Sequence, residues 1–118
     1  MLIVEDEILI RILLAEALRQ ASYEVIEAAN AEEALAVLRT SLDPDVIVTD
    51  VRMPGTVDGF ELAAYVRRAK PGSKVIITSG HAGPTGAIDL ADAFLPKPYE
   101  LGAIVNCIRT LVETDERP

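Results

Sequence analysis

Val46-Ile47-Val48-Thr49, followed at once by Asp50, is a short β-branched run that ends on an acid. Beyond it lies a segment of helical period over 58–69, and then a second run of the same kind, Lys74 to Thr78. Strand, crossover helix and strand make the repeating unit of a parallel sheet. The alternation continues in both directions. Leu2 to Val4, Glu24 to Ile26 and Ala93 to Leu95 read as three more strands, and 7–20, 31–40 and 99–113 as three more helices. The expectation is an α/β fold with five parallel strands. The helix over 31–40 is the best marked: Asn30 stands as its cap, Glu33 follows three residues on, and Ala34, Leu35, Val37 and Leu38 form its buried stripe. The fourth crossover is stunted. Gly80, Gly83, Pro84 and Gly86 crowd its first half, and Ala87 to Asp92 is too short for two helical turns.

The chain has 118 residues, 50% of them hydrophobic, with 11 basic and 19 acidic side chains and a formal charge of −8. That length is one domain's worth. The acidity argues against a nucleic-acid backbone or an anionic membrane surface as partner, because both need Lys and Arg to neutralise phosphate. A cation or a basic protein would account for the acids. Leu62 to Val66 is among the longest apolar runs, far below the roughly 18 residues that read as a membrane span. Glu5-Asp6-Glu7 directly after Met1 to Val4 is the reverse of a signal peptide, so the expected compartment is the cytoplasm. A lone Cys107 and a lone His81 rule out an internal disulfide and a Cys- or His-rich metal site, and Cys107 is expected to serve packing.

In an open α/β sheet, ligands bind beyond the carboxyl ends of the strands. The residues there are Glu5 and Asp6 after the first strand, Asp50 after the third, Ser79 closing the fourth and Lys97 after the fifth. Right-handed crossovers bring these ends to one edge. Carboxylates about 4 Å apart repel by roughly 4 kcal/mol at an effective dielectric near 20, so such a cluster calls for a cation. Hard oxygen ligands favour Mg²⁺, the ion that handles phosphoryl groups. An Asp carboxylate can attack phosphorus while a metal, a Lys and a hydroxyl hold the other oxygens.

Ile3-Val4-Glu5-Asp6-Glu7, Val48-Thr49-Asp50-Val51-Arg52-Met53-Pro54-Gly55, Asp58-Gly59, Thr78-Ser79-Gly80 and Leu95-Pro96-Lys97-Pro98 resemble, in order, the signatures of the response regulator receiver domain of two-component signalling, with a chemotaxis-regulator-like plan. The resemblance covers residues 1–113 and leaves 114–118 as a frayed tail. It implies a flavodoxin-like (βα)5 doubly wound sandwich with strand order 2-1-3-4-5, here with a shortened fourth helix. Asp50 would be the phosphoacceptor, taking its phosphoryl group from a phosphohistidine of a sensor histidine kinase or a histidine phosphotransfer protein. Asp6, Asp50 and the backbone carbonyl of Arg52 would ligate Mg²⁺, with Glu5 acting through a water. Ser79 and Lys97 would each hold a phosphoryl oxygen, contacts that exist only after phosphorylation and so supply the free energy of a switch. Phe94 resembles the aromatic that turns inward with the Ser79 loop, and Pro98 the family's cis proline. The resemblance describes a signalling domain that assists its own phosphotransfer and dephosphorylation, not an enzyme with a separate substrate.

Several features depart from that pattern or stand outside it. The loop Gly55 to Gly59 is one residue longer than the commonest form, which reads as a surface insertion. The shortened fourth helix puts the family's usual output face in doubt. Arg52 and His81 flank the phosphoryl position and read as a solvated Arg and a loop His. The first helix carries Ile8, Leu9, Ile12, Leu13, Leu14, Ala15 and Leu18, and the last Leu101, Ile104, Val105, Ile108, Leu111 and Val112, more than one stripe needs. Generous core burial is the expectation, with a protein contact or a homodimer as the alternative. A flavodoxin would need a hydroxyl- and Gly-rich loop where Glu5-Asp6-Glu7 stands. A haloacid-dehalogenase-like phosphatase would need a second Asp two residues after its nucleophile, and Asp50-Val51-Arg52 lacks it. A pseudo-receiver acting only as a docking module would be expected to lose Asp50, the acid pair or Lys97. The output, and whether the receiver belongs to a hybrid histidine kinase or a longer regulator, is not written in these residues.

Overall fold

The computed structural model describes residues 1–52, 55, 57–79 and 91–113. Strands β1 (Leu2–Val4), β2 (Ile26–Ala28), β3 (Val46–Asp50), β4 (Lys74–Ser79) and β5 (Ala93–Pro96) form one parallel sheet in the order β2-β1-β3-β4-β5. Helices α1 (Ile8–Gln20), α2 (Ala31–Leu38), α3 (Gly59–Ala69) and α4 (Leu101–Glu113) cover it. This is the flavodoxin-like architecture and strand order that the resemblance implies.

Successive strand residues point to opposite faces, so β1, β3, β4 and β5 each feed two cores, while the edge strand β2 contributes Ala28 to one. Leu2, Val4, Ile47, Val75 and Ile77 meet Ala31, Ala34 and Leu38 of α2 and Leu62, Ala63 and Val66 of α3. On the other face, Ile3, Val46, Val48 and Ile76 meet Leu14 and Leu18 of α1 and Ile104 and Ile108 of α4. A central strand covered on both sides has no polar side, which is why 46–49 reads as an unbroken β-branched run. The chain winds outward from β1 to β2, returns past β1 to β3, and continues to β4 and β5. Its direction reverses between β1 and β3, and the crevice above that reversal receives the ends of both strands.

Some expected boundaries move. Strand β2 lies two residues later than Glu24–Ile26 because its register pairs Leu2 with Ile26 and Val4 with Ala28. Ala28 is a weak strand former held there by burial under α2, while Val25 is half-buried in the opposite core. Helix α2 stops at Leu38, where the backbone N–H and the hydroxyl of Thr40 both donate to the Val37 carbonyl, at 3.1 and 2.6 Å. Helix α4 begins at Leu101, with the Glu100 carbonyl accepting from Ala103 and Ile104. The expected short fourth crossover helix falls almost wholly outside the described residues, as do His81 and the tail 114–118.

The larger correction concerns α1. Its surplus apolar residues are not absorbed by the core: Ile8, Leu9, Ile12 and Leu13 are 63, 69, 47 and 45% exposed, while Leu14, Ala15 and Leu18 are buried. A single helix lying on a sheet turns inward a stripe of about 100°, and the remainder stays outside. The surplus on α4 behaves as expected, with Leu101, Val105, Leu111 and Val112 half-buried around the same core as Ile104 and Ile108.

Candidate functional site

Three strand ends build the site. After β1, the Glu5 amide donates to the Ala28 carbonyl at 3.0 Å, extending the strand ladder by one step and leaving Glu5 only 3% exposed. Glu5 Oε2 accepts the Glu7 amide at 3.2 Å, satisfying one of the orphan donors at the start of α1, where Glu7 itself makes no side-chain cap. Arg11, one turn into α1, donates to the Glu5 carbonyl at 3.0 Å and pairs through Nε with Glu27 of β2 at 3.4 Å.

At the end of β3, Asp50 Oδ1 accepts the Val51 amide at 2.7 Å, and that same amide also reaches the Thr78 carbonyl of β4 at 3.2 Å. Gly59 opens α3 hard against this point, its amide donating to the Val51 carbonyl at 2.9 Å. Any Cβ at Gly59 would collide with the Asp50 backbone carbonyl, so the close approach needs glycine. Asp58 caps α3 by accepting the Glu61 amide at 2.9 Å.

At the end of β5, the Lys97 amide donates to the Ser79 carbonyl at 2.7 Å, and the Lys97–Pro98 peptide is cis. The ammonium then bridges two strand ends, 2.8 Å from Glu5 Oε1 and 2.8 Å from Asp50 Oδ2. These side chains are well shielded, at 18% exposure for Lys97, 4% for Glu5 and 14% for Asp50. Desolvation raises the Glu5 pKa, and the Lys97 hydrogen bond only partly offsets it. For Lys97 desolvation works in the opposite direction, but its bonds to Asp50 and then Glu5 prevail and hold its pKa above the ordinary lysine value.

Asp6, exposed at the rim, completes a cluster: Glu5, Asp6 and Asp50 each offer a carboxylate oxygen within 4.8 Å of the others. One ammonium against three carboxylates leaves two negative charges in excess, each carboxylate pair repelling by roughly 3.5 kcal/mol or more at an effective dielectric near 20. All the donors are hard oxygens and one of them faces solvent, a set that fits Mg²⁺ with its retained waters.

The matching family model is that of the response regulator receiver domain, over residues 1–109. The chain belongs to this family. Sensor kinase CckA of Brucella abortus is 37% identical over 120 residues, covering 98% of this chain and 13% of that protein. The DNA-binding transcriptional regulator NtrC of Rhizobium meliloti is 32% identical over 126 residues, covering 99% of this chain and 25% of that protein. The receiver thus spans a small part of these relatives. Among solved structures, the response regulator TrrA of Thermotoga maritima, in complex with Mg²⁺-BeF, superposes with a TM-score of 0.84 at 31% identity, over 93% of this chain and 96% of that one. The receiver domain of NtrX from Brucella abortus gives 0.86 at 29% identity, over 96% and 98%.

The receiver's sequence-predicted residues sort into three groups. Glu5, Asp6, Asp50 and Lys97 converge. Ser79 lies beside them, half-buried and paired in register with Pro96, and Arg52 follows Asp50 in the loop with its side chain exposed. Phe94 stands apart, in register with Ile77 and half-buried against the α3-side core. Sequence reasoning missed Arg11, although a lone cation between Ile10 and Ile12 was the available signal. An apolar groove of about 420 Å³, lined by Ile10, Leu13, Lys97, Pro98, Tyr99 and Leu101, joins the site to the exposed face of α1.

Proposed function

We propose that Asp50 is the phosphoacceptor of this receiver, taking a phosphoryl group from a phosphohistidine on a partner kinase or phosphotransfer protein. The observation that carries this reading is the Lys97 ammonium, 2.8 Å from both Glu5 and Asp50 inside a three-carboxylate cluster. An Asp50 carboxylate oxygen forms the new P–O bond as the P–N bond of the donor breaks and the imidazole leaves with the electron pair. Asp6, Asp50 and the Arg52 carbonyl would hold Mg²⁺, with Glu5 acting through a water. When bound, the ion neutralises charge on the phosphoryl oxygens.

Phosphorylation removes the carboxylate charge from Asp50 and places the charge of the phosphoryl oxygens further out. Lys97 then follows the charge to a phosphoryl oxygen, and the Ser79 hydroxyl donates to another. Neither contact exists before transfer, so together they bias the conformation that Phe94 reports. The exposed Ile8, Leu9, Ile12 and Leu13 support a protein contact, either with the partner or with a second copy. A cytoplasmic location fits this role, and the domain's short share of its relatives' length fits a module of a longer regulator or hybrid kinase.

Incubation with Mg²⁺ and a small acyl phosphate, followed by intact mass, is expected to add one phosphoryl group to the wild type and none to Asp50→Asn. An unmodified wild type, or equal labelling of the variant, would sink the reading.

A further inference from the structure

The loop from Asp50 to α3 carries Arg52, yet its described backbone ties lie at its two ends, where Val51 meets Thr78 and Gly59 returns to Val51. Just before the α3 cap it is also held from outside. Glu32, the second residue of α2, accepts the Val57 amide through Oε1 at 3.1 Å across 25 residues of sequence. Gly55 makes room for that carboxylate. Its φ is +111°, and a Cβ there would sit 2.5 and 2.6 Å from the two Glu32 oxygens. Glu32 is not needed to cap its own helix, since Asn30 accepts the Glu33 amide at 2.8 Å and Glu33 accepts the Ala29 amide at 2.9 Å. Two adjacent acids therefore do different work: Glu33 closes α2, and Glu32 reaches across to the neighbouring loop.

We propose that Glu32 is a positioning residue for the metal and phosphoryl site, strapping the β3–α3 loop at Val57 so that the Arg52 carbonyl is placed before Mg²⁺ arrives. The proposal rests on the reading of Asp50 and the Arg52 carbonyl as ligands. Mg²⁺ demands near-ideal octahedral geometry, so a carbonyl on an untied loop must be ordered at the expense of binding. A charge-assisted bond to Val57 does that ordering in advance. The strap also joins α2 to the phosphorylation loop, so a change in the loop is felt at the head of that helix.

The test compares Glu32→Ala, Glu32→Gln and Glu33→Ala in the full chain, by calorimetric titration with Mg²⁺ and by amide hydrogen exchange at Val57 without metal. Glu32→Ala should weaken Mg²⁺ binding about tenfold, the low end of the loss when a group behind a metal ligand is removed. The same variant should lose Val57 protection. Glu32→Gln keeps an acceptor oxygen and should recover most of both, while Glu33→Ala lowers helix stability but leaves Mg²⁺ affinity unchanged. Unchanged affinity or unchanged Val57 exchange in Glu32→Ala would overturn the strap, as would a Glu33→Ala defect of equal size. A wild type that binds no Mg²⁺ would overturn the functional reading and this role together, and is distinguished because it precedes any mutation.

Discussion

Two lysines sit at opposite ends of the sheet, each with a short bond to a carboxylate, and they do different things. At the amino ends, Lys70 lies 2.7 Å from Asp43 and 3.2 Å from the Thr40 carbonyl, beside a cleft of about 370 Å³ lined by the turns before β3 and β4. Asp43 is 74% exposed, so water solvates it whether or not the lysine is present. At the carboxyl ends, Lys97 is shared by two acids that are 4 and 14% exposed, with Asp6 beside them. Near-equal bond lengths thus conceal unequal roles. Lys70 fastens a turn, whereas Lys97 partly neutralises a cluster that still carries excess negative charge.

The largest difference expected between the two lysines is kinetic. Replacing Lys97 by Met should slow labelling of Asp50 by acyl phosphate roughly 100-fold, as expected when a group aimed at developing charge is removed. Lys70→Met should label at the wild-type rate. Comparable rates for the two variants would mean that the carboxyl end is no more specialised than the amino end.

A smaller contrast is expected in stability. Without metal, Lys97→Met leaves Glu5 and Asp50 shielded and unpaired, and should lose about 2–3 kcal/mol in denaturant unfolding, somewhat under the figure for a fully buried pair. Lys70→Met should lose only about 1 kcal/mol, because Asp43, 74% exposed, stays solvated without the ammonium even though Lys70 itself is 14% exposed. Millimolar Mg²⁺ should stabilise the wild type and both variants by binding the folded state, narrowing the gap between wild type and Lys97→Met and leaving the gap between wild type and Lys70→Met unchanged.

The smallest expected effect is the flatness of a pH profile. The folded pKa of Lys97 lies above its unfolded value, so its stabilising contribution is complete below the ordinary lysine pKa near ~10.4 and is lost only as pH rises through the higher folded value. The stability difference between wild type and Lys97→Met should therefore be constant from pH 7 to about 10. A decline centred in the neutral range would show that Lys97 is not held charged by its two acids.

Much of this was legible in the residues because the fold's logic is repetitive. The β-branched runs at 46–49 and 74–78 mark buried strands, and the acid or lysine just after a run marks the working edge. β2 was misplaced because Ala28 has no strand signal of its own; its register is imposed by β1 and its burial by α2. The exposed face of α1 was unreadable for another reason. Hydrophobicity shows which residues favour burial but not how much surface the sheet offers to cover them. At the site, Lys97 was expected as a phosphoryl partner, but its prior bond to both Glu5 and Asp50 depends on how three distant loops meet. Glu32 was hidden behind Glu33, whose capping spacing draws the eye, since a contact spanning 25 residues leaves no local pattern.

In the proposed function, the carboxyl end of the sheet is built to place a phosphoryl group on Asp50. Borohydride reduces an aspartyl phosphate to homoserine, so peptide mass spectrometry after incubation with Mg²⁺ and acetyl phosphate locates the modified residue directly. Homoserine is expected at position 50 and is lost when the metal is chelated. Homoserine at another acid, or at position 50 to the same extent without Mg²⁺, would contradict the proposed function.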